Sequence, residues 1–225
     1  MTLGQPESLT GLPFFCSWSG GKDSCLALYH AIKSGGRPHS LLTILAEDGL
    51  ISRSHGLPKR LLEAQAKSLG LRPVFRAASW EHYDEEFVSA LHEFKASGIE
   101  AGVFGDIDLD AHREWARRVC GRAGIAAFHP LWKRDRRELL EEFIGLGFKA
   151  RIIAVNEEKL DKSFLGRTIQ TRTIEEMEEA GIDPAGECGE YHTVVTGGPL
   201  FSAPVELKIV GEECHGGYRF LRVDS

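Results

Sequence analysis

Six consecutive residues, Ser19-Gly20-Gly21-Lys22-Asp23-Ser24, follow an apolar run and precede a helical pattern. Adjacent glycines let the backbone approach an anion closely, a helix N-terminus offers N–H groups at its positive dipole end, and Lys22 supplies a counter-charge. This combination predicts a phosphate loop. It is not a Walker A loop, which needs G-x-x-x-x-G-K followed by Ser or Thr, because Asp23 follows Lys22; the dinucleotide pattern G-x-G-x-x-G is missing too. A helix N-terminus contributes about 0.3–2 kcal/mol to anion binding and a charge-assisted hydrogen bond about 1.5–3 kcal/mol, so several donors must act with Lys22. A plainer reading makes Ser19 or Asp23 a helix cap after a glycine turn.

A second concentration of reactive groups is Glu187-Cys188-Gly189-Glu190-Tyr191-His192-Thr193, preceded by Asp183-Pro184 and followed by Gly197-Gly198-Pro199. Two acids, a His and a Thr so close together resemble a loop that carries chemistry. If "EYHTVV" is instead a half-buried strand, Glu190, His192 and Val194 share one face and are merely solvated.

The elements that must position these groups show in the hydropathy. Up to about residue 130, short apolar runs alternate with amphipathic stretches, which predicts an α/β, Rossmann-like parallel sheet with flanking helices. The strands are expected in "PFFCSW", "SLLTILAE", "RPVFRAAS", "AGVFGDI" and "IAAFHPLW", with helices between them. In the second helix, Leu61, Leu62, Ala66 and Leu69 form the apolar stripe. The phosphate loop then falls at the carboxyl end of the first strand, where an open α/β sheet binds its ligand. Beyond "HPLW" the rhythm changes to a smaller α+β region ending in two strands joined by Gly216-Gly217. The expected domains are residues 1–130 for the phosphate-binding part and 131–225 for the substrate-binding part.

Composition narrows the class. The 225 residues are 42% hydrophobic and 27% charged, and the formal charge of −6 argues against general nucleic-acid binding, which needs excess Lys and Arg. Five cysteines with no C-x-x-C pair suit reduced thiols in a cytoplasmic protein. Neither a signal-like N-terminus nor an 18-residue apolar run is present, so no membrane association is expected.

The S-G-G-x-D-S pattern resembles the pyrophosphate-binding loop of the ATP pyrophosphatase (PP-loop) superfamily, which cuts ATP between its α and β phosphates. On that resemblance Ser19, Gly20, Gly21, Lys22, Asp23 and Ser24 bind ATP, joined by Gly105 and Asp106 of "FGDID". Asp23 would be repelled by bare phosphate, so it holds magnesium or orients loop amides. Asp106 is the second magnesium candidate, or else it caps the next helix. His55 and Lys59 face the adenosine, or are an ordinary surface His and Lys at a helix start.

Five ordered stretches, "SWSGGKDS", "GDIDLDAHREWARRVC", "HPLW", "FLGR" and the second motif, look more specifically like the diphthine–ammonia ligase family. The resemblance implies an amide-forming ligase that uses ATP and free ammonia, since nothing resembles a glutaminase. The family's second motif reads roughly E-G-G-E-x-E-T. Glu187, Gly189, Glu190 and Thr193 match, whereas Cys188 replaces a glycine and His192 an acid. The His form is similar to the bacterial branch, linked to corrinoid salvage, while diphthine exists only on the elongation factor of archaea and eukaryotes. Glu187, Gly189, Glu190, His192 and Thr193 are the substrate-binding candidates, and Lys22, Asp23, Glu187, Glu190 and His192 the catalytic ones.

Two rival readings use the same fold. One is a tRNA-modifying enzyme, for which the Lys133, Arg134, Arg136, Arg137 cluster would be the basic patch, although it reads more simply as a solvated helix start. The other is a non-catalytic adenine-nucleotide-binding protein. A homodimer is also open, through an exposed edge at "YRFLRV".

Overall fold

The computed structural model describes residues 8–224. Two compact units divide the chain, and they are not consecutive stretches. The first comprises residues up to Ser19, Asp23–Ser54 and Leu71–Lys133; the second comprises Gly20–Lys22, His55–Gly70 and the residues from Arg134 onward. The chain passes from the first unit to the second between Lys133 and Arg134, and two inserts from the N-terminal half, one of them the heart of the phosphate loop, also belong to the second unit.

In the first unit, β1 (Pro13–Ser17), β2 (Arg37–Leu45), β3 (Arg72–Ala77), β4 (Ala101–Val103) and β5 (Ala126–Phe128) form one sheet in the order β3-β2-β1-β4-β5. Every pairing is parallel. Parallel strands need crossovers, and α1 (Lys22–Lys33), α3 (Tyr83–Ala96) and α4 (Asp110–Arg122) provide three of them. The central strand is buried on both faces, which explains its unbroken apolar run: Phe14, Phe15 and Cys16 are inaccessible to solvent. One side of the sheet is filled by aromatic rings, with Phe15 stacked on Phe94 at 5.0 Å and Phe87 against Trp115 at 4.9 Å. The Trp115 indole N–H donates to Asp84 at 2.6 Å, so the half-buried ring packs against this core without orphaning its donor. The strand order reverses between β1 and β4, and this switch point brings together the residues after Ser17 and those after Val103.

In the second unit, β6 (Lys149–Asn156), β7 (Tyr191–Gly197), β8 (Lys208–His215) and β9 (Tyr218–Asp224) form an antiparallel sheet ordered β7-β6-β9-β8. Gly216 and Gly217, with φ of 58° and 80°, make the two-residue turn between β8 and β9, a conformation that glycine adopts without steric cost. The segment "YRFLRV" is β9, which lies between β6 and β8, so the expected edge there is not one; the edge strands are β7 and β8. The unit also holds α2 (Lys59–Leu69), α5 (Arg136–Gly145) and α6 (Thr171–Glu179). Asp135 caps α5 by accepting from the Glu138 N–H at 2.9 Å.

Candidate active site

The glycines of the loop are fixed by packing. Gly20 has φ of +81°, and a Cβ there would lie 2.7 Å from Leu57 Cδ1 and 2.9 Å from Gln65 Oε1. A Cβ on Gly21 would lie 2.6 Å from His55 Cε1. Hydrogen bonds then tie Gly20–Lys22 to β7. The Val195 N–H donates to the Gly20 carbonyl at 2.9 Å, and the Lys22 N–H donates to Thr193 Oγ1 at 3.0 Å. Gln65 Nε2 donates to the carbonyls of Gly20 at 3.0 Å and Val195 at 2.7 Å. The expectation of free N–H groups at the start of α1 is therefore narrowed, since the first one is held by Thr193. Lys22 is buried, with Nζ 5.5 Å from the centre of the Tyr191 ring.

His55 lies on the loop before α2, not exposed at the surface. Its ring stacks on His192 at 4.6 Å, and Nδ1 sits 3.1 Å from the Thr193 carbonyl, which requires the proton to be on Nδ1. Burial, with a smaller contribution from the Lys22 charge, pushes its pKa down to about 4, so the ring is neutral at pH 7. The half-buried His192 ring also stacks on Tyr218, at 5.5 Å. Sequence reasoning missed Tyr218, whose hydroxyl donates to the Gly189 carbonyl at 2.7 Å and whose oxygen a Cβ on Gly189 would meet at 2.9 Å.

The second motif is half loop and half strand. Glu187 to Glu190 precede β7, whereas Tyr191, His192 and Thr193 begin it. Glu190 is buried and accepts the Cys188 N–H at 3.0 Å. Asp183, named in the sequence only as a flank of the motif, organises the loop by accepting from the N–H groups of Ala185 at 3.0 Å and Glu187 at 3.2 Å, and it pairs with Arg136 at 2.5 Å. Cys188 occupies the family's glycine position without strain, because Lys133 is the one non-glycine residue with positive φ among those described. Thr193 is buried, and its hydroxyl is engaged with Lys22 instead of facing open space.

At the switch point of the first unit, Ser19 and Ser24 place their hydroxyls 3.1 Å apart. Gly105 packs on the first turn of α1, where a Cβ would lie 2.8 Å from the backbone of Asp23 and Ser24. Asp106 is no helix cap: α4 starts at Asp110 after Leu109. Its carboxylate lies 3.4 Å from His112 Nδ1 and 3.6 Å from His129 Nε2. His129 is buried, and desolvation outweighs the attraction of Asp106 to bring its pKa down to about 4. Asp23 and Asp106 offer the hard oxygen donors that suit magnesium, and the close fit of Gly105 on Asp23 keeps the two chain segments together, so the donor set is compatible with that ion.

The basic cluster is neutralised within the described residues. Arg134 pairs with Glu142, Arg136 with Asp183, Arg137 with Glu141 and Glu178, and Lys133 with Asp110. Cys16, Cys25 and Cys120 are buried, while Cys188 and Cys214 are exposed. No helix among the described residues is long and apolar enough to cross a membrane.

A doubly wound parallel sheet with S-G-G-K-D-S after its first strand defines a protein of the PP-loop ATP-binding class. The diphthamide synthase N-terminal domain matches residues 15–127 and the diphthamide synthase C-terminal domain matches residues 135–224. The chain belongs to the diphthamide synthase family. Its curated relatives include the diphthine–ammonia ligases of Mus musculus, 29% identical over 83% of this chain and 79% of the relative, and of Homo sapiens, 25% identical with the same coverage. The diphthine–ammonia ligase of Schizosaccharomyces pombe is 26% identical over 92% of this chain, which spans only 38% of that relative's length. A solved structure from Methanocaldococcus jannaschii, described as a predicted subunit of tRNA methyltransferase, aligns with a TM-score of 0.46 and 19% identity over 83% of this chain and 97% of its own.

Proposed function

We propose that this chain is an ATP-dependent ligase that converts a carboxylate into an amide with ammonia, releasing AMP and pyrophosphate. The observation that carries the reading is the hydrogen bond from the Lys22 N–H of the phosphate loop to Thr193 of the second motif, which ties Gly20–Lys22 to that motif within one compact unit. The family relationship supports the same chemistry.

A carboxylate is a poor acceptor for ammonia, being anionic with a poor leaving group. In the first half-reaction a carboxylate oxygen attacks the α-phosphorus of ATP, the bond to the bridging oxygen breaks, and pyrophosphate departs. Ammonia then attacks the activated carbonyl, AMP leaves, and the surplus protons pass to a base. Ser19, Gly20, Gly21, Lys22 and Ser24 hold the pyrophosphate end of ATP, with Lys22 neutralising developing charge. Magnesium, when bound, would add Lewis-acid neutralisation there, and Asp23 and Asp106 are the residues to hold it. Gly105 keeps the Asp106 segment close, and His55 lies toward the adenosine. Glu187, Gly189, Glu190, His192 and Thr193 form the acyl-substrate side, where Glu187, Glu190 or His192 accepts a proton from ammonium. A corrinoid acid is the substrate favoured by His192 in place of the acid that diphthamide enzymes carry.

The test is AMP and pyrophosphate release with ammonia, screened over corrinoid acids and diphthine-bearing elongation factor. AMP formation that depends on both acid and ammonia supports the reading; release of ADP and phosphate would overturn it.

A further inference from the structure

Gln65 is a polar side chain fully enclosed in the second unit, and none of the roles above uses it. It lies on α2 among Leu61, Leu62 and Ala66, all buried. An uncharged amide in such surroundings is tolerated only when its hydrogen bonds are made. Here both donors of one nitrogen are used, on the Gly20 carbonyl at 3.0 Å and the Val195 carbonyl at 2.7 Å. Its oxygen lies 2.9 Å from where a Cβ on Gly20 would sit, so the amide also bounds the space that Gly20 occupies.

The Gly20 carbonyl carries particular weight. It accepts from Gln65 and from the Val195 N–H at 2.9 Å, and its direction fixes the plane of the Gly20–Gly21 peptide. That plane decides where the Gly21 N–H points, and Gly21 belongs to the loop proposed to hold the pyrophosphate end of ATP. We propose that Gln65 is a positioning residue for the phosphate loop: its amide clamps the Gly20 carbonyl to β7 and so sets the aim of the loop's backbone donors. This inference rests on the proposed use of ATP, and it adds a residue outside both sequence motifs. The sequence held one signal for it, a glutamine inside an apolar helical stripe.

The experiment compares the wild type with Gln65→Met and Gln65→Glu by isothermal titration with magnesium-ATP and, separately, with magnesium pyrophosphate, alongside circular dichroism and thermal melting. Met matches Gln in length but cannot donate to the Gly20 and Val195 carbonyls, so the folded variant is expected to lose about tenfold or more in affinity for both ligands. Gln65→Glu provides the arm that a purely structural role would not move. Its carboxylate faces two carbonyls when ionised but donates when protonated, so its pyrophosphate affinity should recover from pH 8 to pH 6 relative to wild type. Wild-type affinity in both folded variants overturns the role of Gln65, as does a Gln65→Glu protein whose affinity shows no pH recovery should Gln65→Met fail to fold. Failure of the wild type itself to bind either ligand overturns the ATP reading instead.

Discussion

The backbone N–H of Lys22 donates to the side-chain oxygen of Thr193 across 3.0 Å, although 171 positions separate them in the chain. The residue proposed to neutralise the leaving pyrophosphate thus begins its helix on a residue of the second motif, the proposed acyl-substrate side. Loop conformation and second-motif conformation are mechanically one thing, and replacing Thr193 tests it. Thr193→Val keeps the shape and removes the acceptor, leaving a buried N–H without its partner. It should destabilise the fold by about 1–3 kcal/mol in urea unfolding and raise KM for ATP. Thr193→Ser should retain near wild-type behaviour in both measurements.

Lys22 and Asp23 should separate charge neutralisation from loop shape. Lys22→Met keeps an apolar side chain of similar length but removes the ammonium, whose Nζ lies 5.5 Å from the centre of the Tyr191 ring, so kcat for pyrophosphate release should fall about a hundredfold or more. Asp23→Ala should lower the same rate and raise the magnesium concentration needed for half-maximal activity. Pyrophosphate release by Asp23→Ala at the wild-type rate with the true substrate would remove Asp23 from the mechanism.

Gly105 tests close packing without any change of charge. A methyl group there would meet the backbone of Asp23 and Ser24 at 2.8 Å, and backbone cannot swing aside as a flexible side chain can. Gly105→Ala should therefore displace the Asp106 segment or the first turn of α1. A drop of several degrees in melting temperature, with ATP binding weakened about tenfold, is the expected result by differential scanning fluorimetry and titration.

Much of the first unit could be read from the sequence, because a parallel sheet buried on both faces writes itself as apolar runs such as "PFFCSW", with amphipathic helices between them. The phosphate loop is equally local, since its glycines and lysine are contiguous. What could not be read is long-range. Gln65 reaches Val195 across 130 positions, and His55 reaches Thr193 across 138, contacts that no hydrophobic period records. The same contacts draw residues 20–22 and 55–70 into the second unit, so a division based on rhythm along the chain misassigns them. Asp106 shows a different gap: an Asp shortly before a helix looks like a cap, and only the observed start of α4 at Asp110 reveals that its carboxylate turns to His112 and His129.

Stability should fall in acid through two histidines. His55 and His129 each titrate near 6.5 when unfolded and are pushed down to about 4 in the folded protein, chiefly by burial. Between those values the unfolded chain binds protons that the folded one excludes. Their favourable state is fully present above pH 6.5 and is lost as pH falls toward 4. Each contributes a slope of up to about 1.4 kcal/mol per pH unit in that window. Unfolding free energy measured from pH 7.5 to 4.5 should show this, and His129→Gln should flatten the curve by about one proton's slope.

The departures from the family motif make opposite predictions. Cys188 lies exposed, in a backbone conformation open to any residue, so Cys188→Gly should leave kcat/KM and stability within about twofold and 0.5 kcal/mol of wild type. His192 is different, because its ring stacks on both His55 at 4.6 Å and Tyr218 at 5.5 Å. His192→Glu would restore the acid of the diphthamide enzymes, but it would put a charge where a ring now stacks on two others. It should reduce activity on a corrinoid acid by tenfold or more, an order of magnitude typical of losing one oriented group. His192→Gln, which retains a donor and an acceptor without the ring or the charge, should fall between the two. Equal activity of all three proteins on the acid that the wild type prefers would show that His192 does not select the substrate.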